Sequence, residues 1–166
     1  MPGDVPDLQS LHLHTMRHSL GAVTHAKVAF IPHDALLDLI NFSTAIAAVL
    51  WRDTLINAAI ACEWMIGMGR RNAYQRIAHL FCELYLRLEA VGIAADYRCP
   101  LPLTQIDLSD ALGLTSVHVN RVLKELRGSG LITLKSSTLE IGSWEALTRA
   151  CEFDPIYLHL AKRPTD

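Results

Sequence analysis

The stretch 103–132, LTQIDLSDALGLTSVHVNRVLKELRGSGLI, constrains the fold more than any other part of the chain, because its punctuation fits two short helices joined by a glycine turn. Thr104 stands at an N-cap position with Asp107 three residues on, an approximate capping box. Ile106, Leu108, Ala111 and Leu112 supply the apolar side of the first helix, Gly113 makes the turn, and Leu114 plugs the angle between the helices. Thr115 caps a second helix that runs to about Arg127 and is stopped by Gly128 and Gly130. At about 100° per residue, Val119, Val122, Leu123 and Leu126 fall on one side and face the core. Opposite them lie Val117, Asn120, Arg121 and Lys124, a set able to bond base edges, touch a thymine methyl and hold a phosphate. Two readings fit this division: a recognition helix for the major groove, or an amphipathic surface helix in a motif that never meets nucleic acid.

The order Asp107-Leu108-Ser109, Gly113-Leu114-Thr115, Val119-Asn120-Arg121-Val122-Leu123 and Leu126-Arg127-x-x-Gly130-Leu131-Ile132 resembles the winged helix-turn-helix of Crp/Fnr-type transcription regulators. The resemblance implies that Arg121 reads a guanine, a contact that arginine can make bidentate to O6 and N7. Such regulators often carry a glutamate where this chain has Val117, and a valine suits a thymine methyl better than a cytosine amine. Thr115, Ser116, His118 and Asn120 adjoin the same half of the helix, and the resemblance places them near DNA.

The 166 residues are 51% apolar and 19% charged, with a formal net charge of −2, ample for a packed core. So small a charge excludes a protein that coats nucleic acid by charge alone, whereas a dimer reading bases through a local patch needs no basic whole. Between residues 70 and 87, Arg70, Arg71, Arg76 and Arg87 stand against Glu83 alone, and solvation of a helix is favoured over phosphate contact. Cys62, Cys82, Cys99 and Cys151 are scattered without a C-x-x-C pair, behind no basic-then-apolar leader, which suggests reduced thiols in the cytoplasm. Oxygen-sensing relatives of Fnr type hold an iron–sulfur cluster on an N-terminal cysteine group that has no match here, so no cluster is expected.

Residues 43–68, STAIAAVLWRDTLINAAIACEWMIGM, have the length of a membrane span, but Arg52, Asp53, Asn57 and Glu63 argue against one. As a helix the segment carries a seam of Ala47, Trp51, Leu55, Ala58, Cys62 and Met65 at spacings of three and four. Ile46, Val49, Leu50, Ile56 and Ile60 add more apolar surface than one domain covers. A parallel homodimer through this seam is predicted, the alternative being a helix buried in a monomer. The resemblance implies the same, because the long central helix is the dimer axis of Crp/Fnr regulators.

Before that helix, residues 22–31 alternate weakly, residues 28–31 read as a buried strand ended by Pro32, and a short helix over residues 34–40 is capped by His33 or Asp34. The Pro2-Gly3-Asp4 start and residues 24–32 resemble parts of the cyclic-nucleotide-binding β-roll of these regulators. Asp4 stands near the place of its ribose-binding glutamate, and His18-Ser19 near that of its Arg-Ser phosphate pair. A mostly neutral histidine is a poor substitute for a guanidinium fork, so tight cyclic AMP binding is not expected. His12, His14, His18, His25 and His33 crowd the first 33 residues, but nothing completes a metal set around His12 and His14. No nucleophile elbow, phosphate loop or paired carboxylates point to an enzyme.

Residues 72–91 carry Ile77, Leu80, Phe81, Leu84, Tyr85 and Leu88 as a core stripe. Residues 131–134 and 138–141 read as a hairpin wing with Lys135, Ser136 and Ser137 at its tip, and residues 143–153 as a closing helix. The expected fold is mainly α (α+β): a β-roll remnant at 1–33, a dimerisation unit at 34–68 and a winged helix-turn-helix at 69–166. The function this implies is a sequence-specific, homodimeric DNA-binding transcription regulator without cofactor. Its partners would be double-stranded DNA, a second copy and RNA polymerase, with no membrane. The competing reading is a protein-interaction module or a truncated dimerisation partner that silences a full-length regulator.

Overall fold

Helix signals dominate the chain from residue 33 onward, and in the computed structural model, which describes residues 1–13, 15–16 and 19–160, they become six α-helices and one small sheet. The helices are α1 His33–Phe42, α2 Thr44–Arg70, α3 Ala73–Ala90, α4 Gln105–Leu112, α5 Ser116–Gly128 and α6 Trp144–Cys151. The strands are β1 Arg98–Pro100, β2 Ile132–Lys135 and β3 Thr138–Ile141, all antiparallel in the order β1-β3-β2. Single 3₁₀ turns lie at Leu8–Leu11 and Pro155–Leu158.

The expected strand at 28–31 does not form: residues 25–32 are coil, and Phe30 is 94% exposed. A strand needs an edge to pair with, and no other described segment before residue 98 is extended in a ladder, so local β propensity finds no partner. The metal reading of His12 with His14, and the place of His18, fall outside the described residues. Pro32, rather than His33 or Asp34, occupies the N-cap of α1, at φ −58° and an extended ψ of 140°, with no side-chain cap bond. Asp34 lies in the first turn instead, where its charge complements the helix dipole.

Ser43 begins α2 by accepting the Ile46 N–H at 3.4 Å. This 27-residue helix is about 40 Å long. Ile46, Leu50, Ile60, Trp64 and Gly67 form its inner, partly covered face, while Trp51, Leu55, Ala58, Cys62 and Met65 stand exposed on the outside. By length and composition α2 alone among the described helices would cross a membrane. Its inner face, however, is tied to the rest of the chain by polar groups: Arg52 Nη2 donates to the His159 carbonyl at 2.8 Å, and Trp64 Nε1 to Glu83 Oε2 at 3.0 Å.

An Asn72–Gln75 capping box starts α3, each side chain bonding the other residue's N–H. Ile77, Phe81 and Tyr85 of α3 then join Val119, Val122 and Leu126 of α5, Leu139 of β3 and Leu147 of α6 in one core. Strand β1 was not expected. It exists because Asp96 and Tyr97, both at positive φ, turn the chain tightly back on Ala95, after which Cys99 pairs with Leu139. Nor was the closing turn at Pro155–Leu158 expected, in which Tyr157 and Leu158 are buried.

Where α2 meets α3, Glu63 Oε1 accepts from Arg71 Nη2 at 2.5 Å, and His79 Nε2 faces the same oxygen at 3.4 Å without a hydrogen bond. The His79 ring is buried edge-on to Phe153 at 5.0 Å and stacked on Tyr157 at 5.8 Å. Burial above all, then the Arg71 charge, lowers its pKa to about 4 against the partial opposition of Glu63.

Two outcomes are expected. A Cβ at Gly142 would lie 2.2 Å from the Gly130 carbonyl oxygen, so Gly142→Ala should cost about 1–3 kcal/mol in denaturant unfolding without changing the fold. Because His79 takes a proton less readily folded than unfolded, its contribution to stability is complete above about pH 6.5 and is lost as the pH falls toward 4. Melting temperatures measured across that window should therefore drop on acidification in the parent and drop less steeply in His79→Phe.

Candidate nucleic-acid interface

The geometry between α4 and α5 follows from short-range chemistry. Thr104 and Asp107 make the capping box in both directions: Asp107 N donates to Thr104 Oγ1 at 3.1 Å and Thr104 N to Asp107 Oδ2 at 2.7 Å. The bonds that its carboxylate accepts from the Thr104 N–H and hydroxyl hold the Asp107 carboxyl below the usual carboxylate range. Gly113 closes α4 at φ +60°, a left-handed conformation that suits glycine, and Leu114 N bonds back to the Ser109 carbonyl at 2.9 Å. Leu114 then packs, half-buried, against the core between the helices, as its spacing predicts. Thr115 Oγ1 accepts the His118 N–H at 3.3 Å and starts α5.

The core side of α5 is the predicted one, with Val119, Val122, Leu123 and Leu126 all buried. Its outer side carries Ser116, His118, Arg121 and Lys124 exposed, and Val117 is 76% exposed although apolar. Asn120 is half-buried and donates through Nδ2 to Gln105 Oε1 at 3.1 Å. Among the described residues neither Arg121 nor Lys124 has an ion-pair partner, so both cations are available to an external anion.

On α4 one assignment needs correcting. Ile106 is 66% exposed and Ala111 is exposed too, while Leu108, Ser109 and Leu112 are the buried residues. At about 100° per residue Ile106 lies roughly 200° from Leu108, so helical phase, not apolarity, decides its side. Gln105, exposed at the start of α4, borders the outer face of α5 through its bond to Asn120, a contact that sequence periodicity does not reveal.

Of the arginines before the motif, Arg70 is exposed at the end of α2, whereas Arg76 and Arg87 are tied to neighbouring groups. Arg76 donates through Nε to the Arg71 carbonyl and through Nη1 to the Leu112 carbonyl, both at 3.1 Å, placing one cation on the C-terminal ends of α2 and α4. Arg87 lies 3.5 Å from Asp4 and 3.6 Å from Glu83. At the wing, Ser136 and Ser137 both adopt positive φ, and Leu101 N donates to the Ser137 carbonyl at 2.7 Å, which holds the tip against the end of β1. Lys135 projects beside it, exposed.

Residues 75–150 match the model of the Crp-like helix-turn-helix domain. A probable transcriptional activator of Rhizobium leguminosarum bv. viciae is 30% identical over 121 residues, covering 71% of this chain and 49% of that protein. The nitrogen fixation regulation protein FixK of Rhizobium meliloti is 35% identical over 98 residues, covering 58% of this chain and 44% of its own length. The chain therefore spans about half the length of these relatives. The structure of FixK2 from Bradyrhizobium japonicum superposes with a TM-score of 0.65 at 24% identity, over 72% of this chain and 59% of that one, a likeness of fold. The motif's caps, its left-handed glycine and its divided second helix agree with these matches: residues 75–150 are a Crp-like helix-turn-helix domain, in a chain similar to transcription regulators of this type.

Proposed function

We propose that the protein is a sequence-specific DNA-binding transcription regulator of the cytoplasm that acts as a homodimer, with α5 entering the major groove. The observation that carries this reading is the outer face of α5, where Arg121 and Lys124 project beside exposed Ser116, Val117 and His118, without ion-pair partners among the described residues, from a helix whose other side is wholly core. Thr115 sits at the N-cap, so the first turn of α5 also offers backbone N–H groups to a phosphate. Arg121 specifies a guanine in this reading, and Lys124 and the wing residue Lys135 position the duplex. Residues 69–166 form the DNA-binding unit and residues 34–68 the dimerisation unit. The resemblance extends the reading to contact with RNA polymerase. The relatives described above are regulators, not enzymes.

The homodimer rests on the outer face of α2. Trp51 is 65% exposed, and Leu55, Ala58, Cys62 and Met65 follow it on the same exposed stripe, with Ala47 half-buried at the start. A stripe of this length suits a parallel partner helix. Two such chains related by a two-fold axis would present their α5 helices to successive major grooves about 34 Å apart on a near-palindromic site.

Selection of duplexes from a random pool should enrich a two-fold symmetric motif, and Arg121→Ala should lose about 1–3 kcal/mol on it and relax preference at one base pair per half-site. Binding should also weaken steeply with salt. If no motif is enriched and binding ignores salt, the winged domain serves a protein partner instead. The seam has its own check. Cys62 is the exposed cysteine, whereas Cys82, Cys99 and Cys151 are buried, so mild oxidation should cross-link dimers through Cys62 and Cys62→Ser should abolish the cross-link. A monomer at all concentrations in sedimentation would overturn the dimer.

A further inference from the structure

The bond from Asn120 Nδ2 to Gln105 Oε1, 3.1 Å long, joins the two helices of the motif across its outward side. Gln105 is exposed at the first residue of α4, and Asn120 is half-buried on α5, directly before Arg121. A primary amide donates only at nitrogen and accepts only at oxygen, so a bond between two amides has a direction, and fixing one end fixes the other.

We infer that Gln105 is a positioning residue that turns Asn120 into an outward-facing acceptor, selecting a base with a major-groove amino group, adenine before cytosine. The inference rests on the DNA-binding reading above. A phosphate offers only acceptor oxygens, so beside a duplex backbone Gln105 turns Nε2 toward the phosphate and Oε1 toward Asn120. Asn120 answers with Nδ2, and its Oδ1 faces the groove. There it accepts from adenine N6 or cytosine N4 and opposes thymine O4 and guanine O6. The second Nδ2 hydrogen remains free to donate to adenine N7, an acceptor that cytosine lacks. Val117, one turn earlier on the same helix and exposed, favours the thymine methyl that shares the major-groove edge of an A·T pair. Released from Gln105, the Asn120 amide turns over freely and accepts either kind of edge.

The test is competition binding on the selected operator with each base pair of a half-site varied in turn, for the parent, Gln105→Leu, Gln105→Glu and Asn120→Ala, after circular dichroism has confirmed that each is folded. Gln105→Leu should lower affinity about 5-fold and flatten a preference of about 10-fold to about 2-fold at one base pair, the range of a single hydrogen bond. Asn120→Ala should flatten the same base pair. Gln105→Glu still accepts from Nδ2, so it should keep that preference while binding more weakly everywhere, because its charge faces a phosphate. A Gln105→Leu variant that retains every preference, or loses one at a base pair untouched by Asn120→Ala, overturns the positioning role and leaves the DNA-binding reading standing. A parent that selects no sequence overturns both.

Discussion

A single buried carboxylate joins three parts of this chain that lie far apart in sequence. Glu83, 1% exposed in the middle of α3, accepts at Oε2 from Trp64 Nε1 of α2 at 3.0 Å and from the Tyr157 hydroxyl of the closing turn at 2.8 Å. Its other oxygen lies 3.6 Å from the Arg87 guanidinium. A buried carboxylate is tolerable only while its donors stay in place, and leaving one lone pair unmet costs on the order of 1–3 kcal/mol. The long helix, the helix under the motif and the end of the chain therefore hold each other to one arrangement. Burial first, and then Glu83, raise the Tyr157 pKa, so its hydroxyl keeps the proton it donates.

From that junction the orientation of the motif is transmitted by packing and by one cation. Ile77 and Phe81 of α3 meet Val119, Val122 and Leu126 of α5 in the core, and each fully buried side chain of this kind contributes about 1.5–3 kcal/mol. Arg76 adds direction, since its guanidinium bonds the carbonyl ends of α2 and α4 together. The outer side of α5 is thus left free of structural duties except at Asn120, whose one bond reaches Gln105 on the outward side of the motif. A helix held this firmly from behind can present Arg121 and Lys124 without the loss of order that a mobile reader would suffer on binding.

The long helix shows the opposite balance. Its inner face is covered by α1 and the closing turn and bonded to α3 through Trp64, whereas among the described residues nothing covers Trp51, Leu55, Cys62 and Met65, which are exposed. Apolar surface arranged as a straight stripe along one helix is what a second identical helix covers most economically. The coil before α1 also exposes Val28, Phe30 and Ile31, apolar groups that no strand partner draws in.

Much of what neighbours three or four residues apart govern was legible in the sequence. The Thr104–Asp107 box, the Gly113 turn, the Thr115 cap, the inner and outer faces of α5, the wing and the α2 stripe all follow from local periodicity and capping, which one stretch of chain contains entire. Ile106 was legible by its phase but was misread through its apolarity. What tertiary structure alone decided are the pairings of distant residues. Arg76 reaches Leu112 across 36 positions and Tyr157 reaches Glu83 across 74, and strand β1 needs β3 beside it as well as the local turn at Asp96 and Tyr97. The failed strand at 28–31 is the same rule in reverse, since its residues favour an extended chain and lack an edge to complete it. Local spacing determines which face a helix hides, but the partner of a polar group or of a strand is set by the packed chain, which brings together residues whose spacing carries no signal.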